Sequence, residues 1–281
     1  MRPRFVVLFT VLVACDAAGD QGEAAIKGFV NALNASSPNQ KAFVVDVGAN
    51  NGAWTRRVMM HARGCKRVRV APILFEPQQE YAVPLQQLAD DWGGTFYPAL
   101  AWTDAANLTF YLSNFKEASS LSEHMALTFS KPEVNANVRR VVVPAVDFVR
   151  VAWKCVRRAK GGPIILKLDI EAAEYDLLPR LITSGVLCYC TFMLIEWHLN
   201  AMPPSRKLQG VLLRNALDGL LASGCKRPPQ LILHDEDFLN NFGEGIPGLA
   251  EMGARHQLRT HLPNRRPYAI ASSIIASRSG V

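Results

Sequence analysis

Apolar residues in this chain follow two rhythms. Short continuous runs, such as Ala42 to Val47, Val68 to Phe75, Ile164 to Ile170 and Tyr189 to Glu196, alternate with stretches where apolar positions recur every three or four residues. The continuous runs suit strands buried on both faces of a parallel sheet. The spaced stretches suit amphipathic helices: Glu23 to Leu33, Ala53 to about Arg63, Tyr81 to Trp92, and Lys207 to Ser223. Thr95 to Trp102, Leu108 to Leu112, Arg140 to Val146, Leu231 to Leu233 and Tyr268 to Ile275 read as further strands. Asp147 to Val156 and Glu171 to Ser184 read as helices, the latter expected to kink or shorten at Pro179. Ser36 to Asn39, Gly93-Gly94 and Lys160 to Pro163 punctuate the pattern. Strand and helix alternating in this way predict an α/β fold with a single doubly wound, mostly parallel sheet. Asn114 to Val138 is polar, irregular and long for a connector, which marks it as a lid or a surface excursion.

The chemistry concentrates at the ends of the apolar runs. Val44-Val45-Asp46-Val47-Gly48-Ala49-Asn50-Asn51-Gly52 passes from a buried strand through an acid into a glycine loop, with a helix directly behind it. Strand, loop and helix in this order cradle nucleotide-like ligands. The spacing is neither the three-glycine fingerprint of nicotinamide enzymes nor a phosphate loop with its lysine. An acid ahead of the loop suits a ligand with a cationic amino-acid end, as in S-adenosylmethionine. Phe75-Glu76-Pro77 closes the next strand, and Glu76 stands 24 residues after Gly52, about where a carboxylate meets ribose hydroxyls.

Two later runs also end in polar groups. Leu166-Lys167-Leu168-Asp169-Ile170-Glu171-Ala172-Ala173-Glu174 puts Lys167 and Asp169 on one strand face. A lysine in a buried strand needs an acidic partner, here Asp169 itself or Glu196 on the following strand. Glu171 and Glu174 are expected to share one face of a helix start. Leu194-Ile195-Glu196-Trp197-His198 supplies an imidazole, a candidate base near neutral pH.

Composition adds limits. With 281 residues, 49% hydrophobic and 20% charged, the chain can bury a large core. Its net charge of +7 is spread over short clusters, and no basic-aromatic motif points to nucleic acid. Arg2 and Arg4, the apolar run Phe5 to Ala14, and small residues after it read as a signal peptide or short signal anchor over residues 1–19. A membrane partner follows only if that segment is an uncleaved anchor. Asn34-Ala35-Ser36 and Asn107-Leu108-Thr109 are acceptor sites for N-glycosylation. The cysteines after the leader are odd in number and irregularly spaced, with Cys188 and Cys190 read as buried thiols on a strand. Nothing resembles a zinc site; a divalent cation among the carboxylates is open, but the sequence compels no metal ligand.

The ordered set of motifs, from Val45-Asp46 through Phe75-Glu76-Pro77 and Lys167–Glu174 to Ile195-Glu196, resembles the FkbM family of S-adenosylmethionine-dependent methyltransferases. The resemblance spans roughly residues 42 to 200 and implies a class I methyltransferase, Rossmann-like sheet of seven strands, the last antiparallel, within a domain over residues 20–281. It implies S-adenosylmethionine as cofactor, held by Asp46, Gly48, Asn50 and Gly52 at its methionine end and by Glu76 at its ribose. It implies O-methylation of a hydroxyl on a glycan or other small hydroxylated acceptor, with Asp169, Glu171 and His198 as catalytic candidates. The family carries glycine after its motif's first glutamate, where this chain has Ala172. An ordinary dihedral there would accept alanine; a positive φ would strain it.

Two other readings compete: a binding domain that kept the fold without catalysis, and a nicotinamide oxidoreductase on the same scaffold. The leader sets the location. The methyl donor is made in the cytosol, so the Golgi or endoplasmic reticulum lumen, supplied by a transporter, fits better than the outside of the cell.

Overall fold

The apolar runs become the strands of a parallel sheet. The computed structural model describes residues 22–114, 118–128, 138–199 and 202–234, all within one compact unit. Among them are nine strands: β1 (Lys41–Val47), β2 (Arg69–Phe75), β3 (Thr95–Tyr97), β4 (Leu100–Trp102), β5 (Ala106–Leu112), β6 (Arg139–Asp147), β7 (Ile164–Leu168), β8 (Phe192–Glu196) and β9 (Gln230–His234). The helices are α1 (residues 22–35), α2 (Ala53–Ala62), α3 (Ala82–Asp91), α4 (Glu123–Thr128), α5 (Phe148–Ala159), α6 (Glu174–Ser184) and α7 (Pro204–Gly224).

The main sheet has the order β3-β2-β1-β7-β8-β9, and every neighbouring pair is parallel. The chain starts at the centre, builds outward through β2 and β3, then returns to the other side of β1 and builds outward again. The reversal falls between β1 and β7, and open α/β sheets bind ligands at the strand carboxyl ends beside such a reversal.

Helices cover both faces. On one, Ile26, Phe29 and Leu33 of α1 and Val58 and Met59 of α2 pack on Ala42, Val44 and Ile165, while Leu85 and Leu88 of α3 meet Leu74. On the other, Phe148 of α5 meets Phe75 edge-on, and Phe75 stacks on Tyr97. Because β1 is buried on both faces, alternation sends Ala42, Val44 and Asp46 toward the α2 side. An acid thus occupies a position that the pattern reserves for the core.

The α/β, doubly wound, Rossmann-like expectation is met. Six described strands make the main sheet, and β4, β5 and β6 form a separate three-stranded sheet of order β4-β6-β5. The run Thr95 to Trp102 splits at Pro98-Ala99, with β3 joining the main sheet and β4 pairing with β6. Pro98 has no N–H to donate, which suits a break in the ladder. The strand expected over Tyr268 to Ile275, and the N-terminal leader, lie outside the described residues.

Three local expectations are corrected. Helix α6 begins at Glu174, because Glu171 and Ala172 both adopt positive φ, 56° and 72°, and cannot start a helix. Glu171 and Glu174 therefore do not share a helix face. Pro179 lies inside α6 without ending it. Gly185, left-handed at φ 71°, closes α6 and launches a 3-10 turn over Val186–Tyr189, which lifts Cys188 out of any strand. Cys188 then forms a disulfide with Cys225 just past α7, their Cα atoms 5.1 Å apart. Cys65, Cys155 and Cys190 are free thiols, and burial pushes Cys190 up to about 12. No helix among the described residues is long and apolar enough to cross a membrane.

Candidate active site

At the carboxyl ends of β1, β2 and β7 the chain encloses a hollow of about 300 Å³. Its floor is the glycine loop, with Gly48 and Asn50, and its flank is Glu76. Asp169, Glu171, Glu196 and His198 form the opposite, polar wall. The small sheet closes the rest with Leu100, Ala101 and Phe110, joined by Ala118, Ser119, Leu121 and Met125. A hollow of this size, apolar with a few convergent polar groups, suits a small-molecule ligand.

Residues 118–128, the described part of the polar excursion, thus form a wall of the site. They are tied down by side chains: Ser120 Oγ donates to the Glu171 carbonyl at 2.6 Å, and Ser119 Oγ to Gln78 Oε1 at 3.3 Å.

The loop requires its first glycine. Gly48 sits at φ 82°, and a Cβ there would overlap the carbonyl oxygen of Asp169. The close approach lets β1 and β7 meet at the hollow's edge. Gly48 and Ala49 N–H both donate to the Phe75 carbonyl, at 3.1 and 2.9 Å. Glu76 continues the clasp: Oε2 accepts from Asn50 N–H at 2.8 Å and Oε1 from Gln78 N–H at 3.0 Å. Burial pushes the Glu76 carboxyl up to about 7, against the pull of those two N–H bonds. Asn50 Oδ1 is buried with no hydrogen-bond partner.

Asp46 and Gly52 do not line the hollow. Asp46 is fully buried beneath it, where Oδ2 accepts from Thr55 Oγ1 at 2.6 Å and Oδ1 lies 3.7 Å from Lys167 Nζ. Burial raises its pKa despite Lys167 and Thr55. Gly52, at φ 77°, launches α2.

Lys167 links the layers. Its Nζ donates to Asp169 Oδ2 at 2.6 Å and to the Gly48 carbonyl at 3.4 Å. Burial works against its charge, but Asp169 and Asp46 outweigh it and hold its pKa above the usual lysine value. The register explains the ion pair with Asp46, since Asp46 and Lys167 are direct partners across β1 and β7.

His198 stands at the centre of the acidic wall. Its Nδ1 lies 3.2 Å from Glu174 Oε1, a carboxyl that also accepts from Ile170 N–H at 2.7 Å. Its Nε2 faces Glu171 at 3.4 Å, Asp169 at 3.8 Å and Glu196 at 3.9 Å. Burial opposes a charge on the ring, yet Glu174, then Glu171 and Asp169, hold its pKa well above the ordinary histidine value. Burial, helped by Asp169, Glu174 and Glu196, pushes Glu171 up to about 9 although His198 pulls it down.

The structure thus gathers Gly48, Asn50, Glu76, Asp169, Glu171 and His198 around one hollow. Sequence reasoning left four contributors out of its site: Glu174, Glu196, Thr55 and Ser120. Thr55 had a signal, a lone hydroxyl within the otherwise apolar stripe Val58, Met59 and Ala62 of α2. Glu196 had one too, as an acid ending a buried run.

A doubly wound sheet with an acid-flanked glycine loop at its reversal defines a nucleotide-type ligand-binding enzyme fold. The chain belongs to the FkbM methyltransferase family: the family's model, Methyltransferase FkbM domain, matches residues 46–212. The matched stretch runs from Asp46 into α7 and includes every residue of the hollow, which places the protein among the methyltransferases. No curated protein and no solved structure is significantly similar to it.

Proposed function

We propose that this protein is an S-adenosylmethionine-dependent O-methyltransferase acting on a hydroxyl of a glycan or other hydroxylated acceptor. The observation that carries the reading is the facing of Glu76 and the Asp169–Glu171–His198 wall across one hollow at the sheet's reversal. The donor set fits the cofactor. Glu76 offers carboxyl acceptors to a ribose diol, and the bonds to its ionised form are stronger than neutral ones. The unpartnered Asn50 Oδ1 and the acidic wall suit the ammonium of a methionine end. Leu100, Phe110 and Met125 offer apolar surface to a ring.

S-adenosylmethionine supplies an electrophilic methyl group on a sulfonium. The acceptor oxygen attacks that carbon; the carbon–oxygen bond forms as the carbon–sulfur bond breaks, and its electron pair stays on sulfur. Holding the two partners in line supplies much of the rate. Asp169, Glu171 and His198 surround the place of the attacking oxygen. One basic group of this set takes the hydroxyl proton. Asp46 acts as a positioning residue, through Thr55 and Lys167.

The same reading puts the protein in the lumen of the Golgi or endoplasmic reticulum. The Cys188–Cys225 disulfide suits an oxidising compartment, and Asn34 and Asn107 of the two glycosylation acceptors are exposed. A second reading, a binding domain without turnover, is favoured by Ala172 at φ 72°.

A radiolabelled-methyl transfer assay against a panel of glycans and lipids tests the proposal. Label in an ether of one acceptor is the expected result. Donor binding with no labelled product on any hydroxylated acceptor would favour the second reading.

A further inference from the structure

We infer that Asp169, Glu196 and His198 form a divalent-cation site, of the class that Mn²⁺ fills, on the acceptor side of the hollow. One ligand atom from each of the three lies within 4.8 Å of the others. An ion about 2.1 Å from each donor leaves them about 3 to 4 Å apart, so the side chains need close by less than about 1 Å.

Two observations beyond the clustering point to an ion. His198 is only 8% exposed, and its Nε2 is aimed at three carboxylates that stand at 3.4, 3.8 and 3.9 Å. Those distances exceed the usual hydrogen-bond limit of about 3.2 Å. A buried polar nitrogen is therefore held toward acceptors without bonding any of them well. Its other nitrogen is occupied by Glu174 at 3.2 Å, the carboxylate–histidine arrangement that orients an imidazole for a metal.

Charge agrees. Asp46, Asp169, Glu171, Glu174 and Glu196 crowd around only two basic side chains, Lys167 and His198, which leaves a formal excess of negative charge. A divalent cation offsets that excess. Two carboxylates with one imidazole suit a first-row divalent ion, with positions left open toward the hollow.

The inference deepens the proposed methyl transfer and rests on it only for the role. A hydroxyl bound to the cation becomes more acidic. Its O–H proton passes to Glu171, the carboxylate left out of the ligand set, which the bound cation beside it keeps ionised, and the oxygen keeps the electron pair that forms its bond to the methyl carbon.

The test uses the full-length protein, stripped with a chelator and titrated with MnCl₂ while free Mn²⁺ is read by electron paramagnetic resonance. The expected result is one ion bound per chain at micromolar affinity, weakened at least tenfold in Glu196→Gln. Spin-echo modulation from an imidazole nitrogen should appear in the unaltered protein, which needs no variant to fold. No binding below millimolar Mn²⁺, an unchanged affinity in Glu196→Gln, or an echo without nitrogen would each overturn the site. Titration of the stripped protein with S-adenosylmethionine separates the two ideas. Donor binding without Mn²⁺ binding sinks only the cation site, and Mn²⁺ binding without donor binding sinks only the methyl transfer.

Discussion

Lys167 and Asp46 are register partners on β7 and β1, and the lysine's ammonium lies 3.7 Å from an aspartate with no solvent exposure. The same ammonium bonds Asp169 at 2.6 Å in the hollow above. One cation thus joins a buried acid in the core to an acid of the site, and ties the shape of the hollow to the stability of the sheet centre.

Removing that cation should cost stability. Lys167→Met leaves Asp46 buried and unpaired, and breaking such a pair from one side costs about 3 kcal/mol. Denaturant unfolding should show this loss, with much of it recovered when Asp46→Leu is added. A single variant as stable as the parent would show that the lysine does not compensate Asp46.

Ala172 should be a point of strain. A non-glycine residue in the left-handed region costs about 1 to 2 kcal/mol, partly offset by the backbone entropy that glycine loses on folding. Ala172→Gly is therefore expected to stabilise the protein by roughly 0.5 to 1 kcal/mol. Urea midpoints of the two proteins check this, and a lower midpoint for the glycine variant would contradict the turn geometry.

Glu76 should make stability fall as pH rises. Its carboxyl titrates near the ordinary 4.5 when unfolded and is pushed up to about 7 by burial in the fold. Between those values the folded chain binds more protons, so its contribution is full below about pH 4.5 and lost by about pH 7. The slope approaches about 1.4 kcal/mol per pH unit where one full proton separates the states. Glu76→Gln should flatten that part of the profile. Equal pH profiles for parent and variant between pH 4.5 and 7 would show that Glu76 is not protonated by burial.

Cys188 and Cys225 should make the fold sensitive to reductant. They are 37 residues apart in sequence, and a crosslink of that span stabilises by about 4 kcal/mol in the chain-entropy view. Reduction should lower the melting temperature of the parent but not of a Cys188→Ser, Cys225→Ser double variant. A parent that melts alike with and without reductant would argue against the bond.

What the sequence made legible was local. The passage from β1 through Gly48 into α2 is written in consecutive residues, as is the acid that ends β2. Asp169, Glu171 and His198 were visible because polar groups ending apolar runs break the pattern. The rest depended on long-range pairing. That Arg139–Asp147 leaves the main sheet to pair with Leu100–Trp102 and Ala106–Leu112 is a matter of register between distant segments. The disulfide needed the turn after Gly185, which brings Cys188 to the end of α7. The acidic surroundings of His198 come from four carboxyls on two stretches of chain, Asp169–Glu174 and Glu196. Alone, the residue read as an ordinary imidazole.

The most direct measurement is calorimetric titration of the full-length protein with S-adenosylmethionine, alongside NAD, in the parent and in Glu76→Ala. One donor bound per chain, no binding of NAD, and affinity for the donor weakened at least tenfold in the variant are expected. Binding of NAD alone, or a donor affinity untouched by the loss of Glu76, would contradict the proposed donor site.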